Sequence, residues 1–450
     1  MSPLGPYSYP NSPVHYRRLK RIYPKIVRGE GVWLYDQDGK PYLDACGGAY
    51  TANIGHGNHV VAEAMAAQAR RFGYVNGTQF THDPAEELAQ ALTALTPTLD
   101  KAYFVANGGD AVEAALKFAR QYWSEAGRPE KTKILSFDPS YHGNTLLALS
   151  AGARASSKKL FHDWLVDFPR VPAPYPYRST GADDPALTAE AFERAVLKAG
   201  PDTVAAFIAE PVGGSSTGAS VPPPNYWKRV RSLCDRYQVL LIADEVLTGA
   251  GRTGTWTALE AYGVAPDLMT LGKGISGGYA PLAAFLAPRR LVDVVARGSG
   301  SLQHNQTFSH HPVTCAAGVA ALRVIRDQRL VERSAKMGAY LQSKLEPLRE
   351  HPLVGDVRGR GLLAGVEFVS DKAAKRPLPR SLKFAEAFAD AAFDRGLVVW
   401  PNYGNADGEA GDLAMLAPPF IVTEKEIDEI VLRFTDALNT VAKTVVVKRH

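Results

Sequence analysis

The chain predicts an α/β fold with a mostly parallel central sheet flanked by helices. Three observations carry that expectation: continuously apolar segments of strand length, amphipathic helical segments between them, and polar or glycine-rich turns directly after most of the apolar segments. The apolar segments are KAYFVA (101–106), KILSF (133–137), TVAAFIA (203–209), VLLIA (239–243), DLMTL (267–271) and PLAAFLA (281–287). Their lack of in-out alternation suits strands covered on both faces. Between the first two lies DAVEAALKFARQYW, where Val112, Ala115, Leu116, Ala119 and Trp123 recur at helical spacing. The Pro/Gly-rich stretches near residues 172 and 211 read as long functional loops. Beyond about residue 330 come a long helical segment, a glycine-punctuated strand pair in VGDVRGRGLLAGVEF, and a last helix. That helix opens on a capping box of Thr423 and Glu426 ahead of Ile427, Ile430, Val431 and Phe434. We assign residues 61–330 to a large domain, and residues 1–60 with 331–450 to a smaller α+β domain built from both chain ends.

With 450 residues, 46% of them hydrophobic, the chain can bury a large core. Its formal charge of +5 is small, and the one short basic cluster, Arg17, Arg18, Lys20 and Arg21, reads as a solvated face rather than a nucleic-acid footprint. Cys46, Cys234 and Cys315 are odd in number and far apart, which predicts a reducing compartment without disulfides or a metal site. No apolar run approaches a membrane span and the proline-rich opening does not read as a secretory signal, so the expected location is cytoplasmic, with no membrane partner.

Five chemically suggestive turns follow the carboxyl ends of apolar segments: NGGD (107–110), SYHG (140–143), Glu210-Pro211, Asp244-Glu245 and Gly272-Lys273. Open α/β sheets bind ligands in that crevice, so the five are expected to converge. In TLGKGISGGYAP, Gly272, Gly274 and Gly277 match a dinucleotide-binding spacing, with Asp293 at a distance suited to a ribose. That motif needs a helix after its glycines, whereas here Gly278 and Pro281 lead into a new strand. LLIADE resembles one half of an ATPase site, but the chain has no phosphate-binding loop to accompany it.

Lys273 alone would read as a solvated turn lysine. Desolvated between glycine turns, it becomes an amine nucleophile able to form a Schiff base with an aldehyde cofactor such as pyridoxal phosphate. Gly108 and Gly109 let backbone N–H groups approach an anion at a helix start, though an ordinary turn capped by Asp110 accounts for them equally. Asp244, at a buried strand end, is a carboxylate able to keep a pyridine nitrogen protonated, or else a cap. Tyr141 and Val246 offer an aromatic and an apolar surface for the two faces of a ring, unless Tyr141 is a plain surface residue. His142 takes a supporting hydrogen-bonding role.

FVANGGDAVEAALKFAR, SYHG, IAEPV, LLIADEVLTGAGRTG, DLMTLGKGISGGYAPLAA and HNQTFSHHPVTCAAGVAAL, in this order and spacing, resemble the class III (omega) aminotransferases, a pyridoxal-phosphate-dependent family of fold type I. The resemblance runs from about Tyr35 to Pro419. It implies that Lys273 carries the cofactor, Asp244 pairs with the ring nitrogen, Tyr141 stacks on the ring, Gly108 and Gly109 bind the phosphate, and Glu210 lies beside the cofactor. It implies that Thr307 reaches the phosphate held by a partner subunit, in a homodimer with shared active sites or a tetramer of such dimers. The implied reaction moves an amino group from an amine or omega-amino donor to a keto acceptor such as pyruvate, by way of pyridoxamine phosphate. Racemases, aminomutases, decarboxylases and lyases on the same fold, and a non-catalytic scaffold, are the rival readings.

Some positions depart from the family pattern. Asn107, Gly109, Asp110 and His310 replace usual residues without removing an essential group. Met415 stands where members using 2-oxoglutarate commonly carry an arginine, and the loop PNYGNADGEAG lacks the mobile arginine of amine:pyruvate enzymes. Tyr50 falls where those enzymes place an aromatic pocket wall. A charge-free aromatic pocket favours an amine over a dicarboxylic substrate, with Arg252, Arg358 and Arg360 as the remaining candidates for holding a carboxylate.

Overall fold

The computed structural model describes residues 7–153 and 158–447. The chain begins with three antiparallel strands, β1 (Ile26–Glu30), β2 (Trp33–Asp36) and β3 (Pro41–Asp44). Asp36 closes the turn between the last two: it accepts the amides of Asp38 at 3.0 Å and Lys40 at 2.9 Å, and the Tyr42 hydroxyl at 2.9 Å.

The central sheet contains β4 (Lys101–Val105), β5 (Lys133–Asp138), β6 (Arg170–Pro172), β7 (Val204–Ala209), β8 (Leu240–Asp244), β9 (Leu268–Leu271) and β10 (Ala283–Ala287). Their order is β4-β10-β9-β8-β7-β5-β6. All six apolar segments are strands. The run from β6 to β9 is parallel, while β10 is antiparallel to both β4 and β9. The link from β9 to β10 is a turn rather than a helical crossover, and a parallel pairing would need the crossover. The same turn carries Lys273, so the glycines around it open no nucleotide-binding helix. The sequence pattern does not reveal β6, a three-residue edge strand whose Pro172 is tolerated at a sheet edge.

Every residue of β7 and β8 is buried, as strands covered on both faces require. On one face Val112, Ala115, Leu116, Ala119 and Trp123 of the helix Gly108–Glu125 join Ala206, Ile208 and Ile242. On the other, Phe207 and Leu241 meet Phe192 of the helix Glu190–Ala199, and Tyr226 and Trp227 of the helix Tyr226–Tyr237. This double cover fixes the strand ends, and with them the turns that follow.

The C-terminal part supplies β11 (Val354–Arg360), β12 (Leu363–Asp371), β13 (Arg376–Pro377), β14 (Leu397–Val398), β15 (Trp400–Tyr403) and β16 (Asp412–Leu416). An antiparallel sheet runs β11-β12-β16-β15, with β13 on β12. β14 pairs in parallel with β3, so both chain ends share one sheet. The final helix, Glu424–Val447, begins with the expected capping box: Glu426 accepts the Thr423 amide at 2.8 Å, and Thr423 Oγ1 accepts the Glu426 amide at 3.3 Å. Ile427, Ile430 and Phe434 are buried. Among the described residues no helix is long and apolar enough to cross a membrane.

A buried acid ties the long loops to this C-terminal sheet. Glu367 on β12 accepts Arg178, Arg358 at 2.8 Å, and the Tyr175 hydroxyl. Arg358 also donates to Thr217 O at 2.7 Å and to Asp356 at 3.0 Å. Removing the shared carboxylate takes from Arg178 its carboxylate partner and leaves Arg358 only Asp356, at a largely buried site. Glu367→Ala is therefore expected to lower stability by about 3–5 kcal/mol in chemical denaturation; a loss below about 1 kcal/mol would contradict this account of the cluster.

Candidate active site

The five turns at the strand ends meet, and small residues let them do so. Val246, two residues past β8, is a wedge: a methyl group added at Gly108 would lie 2.7 Å from its Cγ1, and one at Gly272 would lie 3.2 Å from it. A methyl at Gly143 would lie 3.0 Å from the Gly109 Cα. Glu210, just beyond β7, joins two more turns, accepting the Tyr141 amide at 3.1 Å through Oε2 and the Gly214 amide at 3.1 Å through Oε1. Loops from β4, β5, β7, β8 and β9 thus share one crevice.

Asp244 is the last residue of β8 and is buried. Its Oδ2 lies 2.6 Å from His142 Nδ1, and its Oδ1 accepts the Val246 amide and the Thr270 hydroxyl, each at 3.2 Å. A carboxylate only accepts, so Nδ1 carries the imidazole proton. Three hydrogen-bond partners fix its direction. His142 is enclosed, and its Nε2 has no partner among the described residues. Its one visible task is to orient Asp244. Thr270 has no sequence signal; it sits opposite Asp244 through the β8–β9 register.

Lys273 adopts φ 47°, in the left-handed region. For a non-glycine residue such a conformation costs of order 1–3 kcal/mol and persists where its surroundings enforce it. Burial pushes the amine below the ordinary lysine range, against the opposing pull of Asp244 and Glu210. Desolvation outweighs attraction, so a larger share of this amine is unprotonated at neutral pH than for an exposed lysine.

In the NGGD turn the helix cap is Asn107 rather than Asp110. Asn107 Oδ1 accepts the Asp110 amide at 3.1 Å, while Asp110 Oδ2 accepts Asn107 Nδ2 at 2.6 Å. These side chains are committed to each other, which leaves the Gly108 and Gly109 N–H groups at the helix start as the ones an anion could meet. Gln306 docks against the same turn, accepting the Ala106 amide at 3.1 Å and donating to Asp110 at 2.5 Å. The adjacent Thr307 lies at the surface, where its carbonyl accepts the Tyr74 hydroxyl at 3.0 Å. Tyr141 is 38% exposed above the crevice.

A second wall adjoins the Lys273 turn. Methyl groups at Gly274 and Gly278 would meet Asn53 Nδ2 at 2.6 Å and Thr51 Cγ2 at 3.2 Å, which brings residues 50–54 alongside. Tyr50, 4% exposed, directs its hydroxyl to Met415 Sδ at 3.3 Å and packs its ring 5.4 Å from Trp400. Val212, Leu247 and Leu413 complete that apolar cluster. Two of the three candidate arginines are committed elsewhere. Arg252 is buried over Phe420 at 4.6 Å and donates to the carbonyls of Leu362 and Pro418 at 3.0 and 2.7 Å. Arg358 belongs to the Glu367 cluster, and Arg360 stacks on Tyr262 at 5.3 Å. Thr270, Gln306, Trp400 and the Asn107 cap are parts that sequence reasoning missed.

An amine, an oriented acid, helix-start N–H groups and an apolar wedge suit a flat aldehyde that carries an anionic group and a basic ring nitrogen. The class-III aminotransferase family model matches residues 15–438, and the chain belongs to that family. Its members are pyridoxal-phosphate-dependent enzymes acting on amine and keto-acid substrates. The chain is thus an aminotransferase of fold type I. It is 39% identical to an uncharacterized aminotransferase of Schizosaccharomyces pombe, over 91% of each chain. It is 32% identical to the putrescine–pyruvate aminotransferase of Pseudomonas aeruginosa, over 96% of this chain and 94% of that one. The structure of an (S)-enantioselective omega-transaminase from Thermomicrobium roseum superposes with a TM-score of 0.89 at 37% identity, covering 95% of this chain and 96% of that one.

Two outcomes follow from this packing. Gly108→Ala drives a methyl into Val246 and should cost about 1–3 kcal/mol in denaturation, most of it recovered by adding Val246→Ala; an additive double variant would contradict the wedge. Competitive acetylation of cofactor-free protein across pH, read by peptide mass spectrometry, should show Lys273 gaining reactivity at lower pH than exposed lysines, whose amines titrate near about 10.4. A midpoint at or above theirs would contradict the desolvated amine.

Proposed function

We propose that the chain transfers an amino group from an amine or omega-amino donor to a keto acceptor such as pyruvate, using pyridoxal phosphate held at the strand-end crevice. One observation carries the reading: the desolvated Lys273 amine shares its crevice with an acid, Asp244, fixed by three hydrogen bonds. When bound, the cofactor supplies an aldehyde that holds the amino group and a ring that takes up electrons from the substrate carbon.

In this proposal the N–H groups of Gly108 and Gly109 hold the phosphate, Val246 and Tyr141 flank the ring, and Asp244 keeps the ring nitrogen protonated. His142 and Glu210 position Asp244 and the Tyr141 turn. Nζ of Lys273, its pKa lowered by burial, accepts the proton removed from the substrate carbon and returns it later in the cycle, which is general acid–base work. Thr307 serves the site of a second copy in a homodimer. Support for that assembly comes from its surroundings: Tyr74 and Phe308, in edge contact at 6.2 Å, are 46% and 55% exposed on the same surface. The same proposal keeps residues 61–330 as the cofactor domain and the two chain ends as its smaller companion, working in the cytoplasm.

The pocket supports the substrate class. In this proposal the apolar cluster of Tyr50, Met415, Trp400 and Leu247 lines the substrate side of the crevice, while Arg252 and Arg358 are bonded to protein groups. An apolar slot favours the alkyl or aryl body of an amine and lacks a two-pronged partner for a second carboxylate. A panel of donors against keto acceptors should therefore show turnover with monocarboxylic acceptors and little with 2-oxoglutarate. Substrate turnover without consumption of any keto acceptor would overturn the reading. Met415→Arg should raise kcat/KM for 2-oxoglutarate relative to pyruvate by about tenfold or more, as one added bidentate pair allows.

A further inference from the structure

We infer that Asp44 and His56 are positioning residues that hold the Tyr50 wall of the substrate pocket, acting through the turn at residues 46–50. The inference rests on the reading of Tyr50 as a pocket wall. Its starting point is backbone strain. Gly47, Gly48 and Tyr50 have φ of 56°, 65° and 64°, so three of four consecutive residues are left-handed. Glycine takes that conformation freely, but a bulky tyrosine does not. Two local bonds close the turn, from the Tyr50 amide to Cys46 O at 2.9 Å and from the Thr51 amide to Gly47 O at 2.8 Å. Something outside the turn must also hold it, since strain persists only where the surroundings over-determine it.

Asp44, at the end of β3 and fully buried, is that hold. Its Oδ1 accepts the Gly48 amide at 3.0 Å and the Cys46 amide at 3.3 Å. Its Oδ2 faces His56 Nε2 at 2.9 Å. His56 is itself anchored, exchanging backbone hydrogen bonds with Gly31 at 2.8 and 3.1 Å beside the β1–β2 hairpin. From the opposite side comes Arg252: a methyl at Gly47 would lie 3.8 Å from its Nη2, and Asp44 offsets part of the desolvation that lowers its pKa. A carboxylate facing the His56 imidazole binds the turn amides more strongly than a neutral acceptor would. The turn then delivers the Tyr50 ring to Met415 and Trp400.

The bonds named in this chain of contacts run to turn amides, Gly31, Met415 and Trp400. Loosening it should weaken the grip on the amine substrate while leaving the proton transfer intact. The test compares wild type with His56→Ala and His56→Gln, the second keeping an N–H donor. Hydrogen exchange of the peptide spanning 45–52 should be at least about tenfold faster in His56→Ala, as the loss of a hydrogen bond to a charged group allows, with the β7 and β8 peptides unchanged. KM for the amine should rise about tenfold with kcat within about twofold, and His56→Gln should restore both. Unchanged exchange in 45–52, or kcat and kcat/KM falling equally, would overturn the inference. Should His56→Ala not fold, Asp44→Asn, which keeps the shape and loses the charge, is expected to give the same exchange and KM changes, and their absence overturns the inference equally. Tyr50→Ala separates the two levels. If it leaves the amine KM unchanged, the pocket reading fails; if it raises KM while the His56 variants do not, this inference alone fails.

Discussion

The competition that organises this molecule is between removing a lysine ammonium from water and placing carboxylates beside it. At Lys273 desolvation is the larger effect, with Asp244 and Glu210 pulling the other way, so the amine titrates low without losing the acids around it. Keeping that balance demands a rigid setting. The sheet supplies it, because β8 and β9 are buried throughout and carry Asp244 and Thr270 in register. The glycines supply the rest. Gly108, Gly143 and Gly272 permit approaches that a methyl group would crowd, and the NGGD turn, the SYHG turn and the Lys273 turn close on one another as a result.

Much of this was legible in the sequence, for identifiable reasons. Strands covered on both faces are unbroken apolar runs, and all six stood out. The capping box at Thr423 and Glu426 also formed as its residue types dictate. Other features left no local trace. β6 is three residues between loops, and its existence depends on the edge offered by β5. The partnership of Thr270 with Asp244 is a matter of register between neighbouring strands, which residue types do not encode. At the NGGD turn Asn107 and Asp110 are both good caps, so only geometry could assign the role to Asn107. The arginines show the same limit. Arg252 and Arg358 carry charges available for a substrate when seen as letters, and in the fold they are committed to carbonyls and a buried glutamate.

The proposed substrate side of the crevice follows a different logic from the proposed cofactor side. Where Lys273 and Asp244 are held by a sheet, Tyr50 is held by a short strained turn and by the buried Asp44 at the end of β3, which faces His56. Such a wall can vary in shape while the chemistry beneath it stays fixed. Met415 is an example: a flexible thioether fills space against Tyr50 at a position that in relatives suits a carboxylate-binding arginine. In the proposed reading the reaction class rests on the rigid half of the site and substrate choice on the other half.

The central claim is a covalent one, and hydride trapping addresses it most directly. Purified protein loaded with pyridoxal phosphate, reduced with borohydride and digested, should yield one stoichiometric pyridoxyl adduct on the peptide containing Lys273, with Asp244→Ala reducing its extent. An adduct spread over surface lysines, or none on that peptide, would contradict the assignment of this amine as the group around which the site is built.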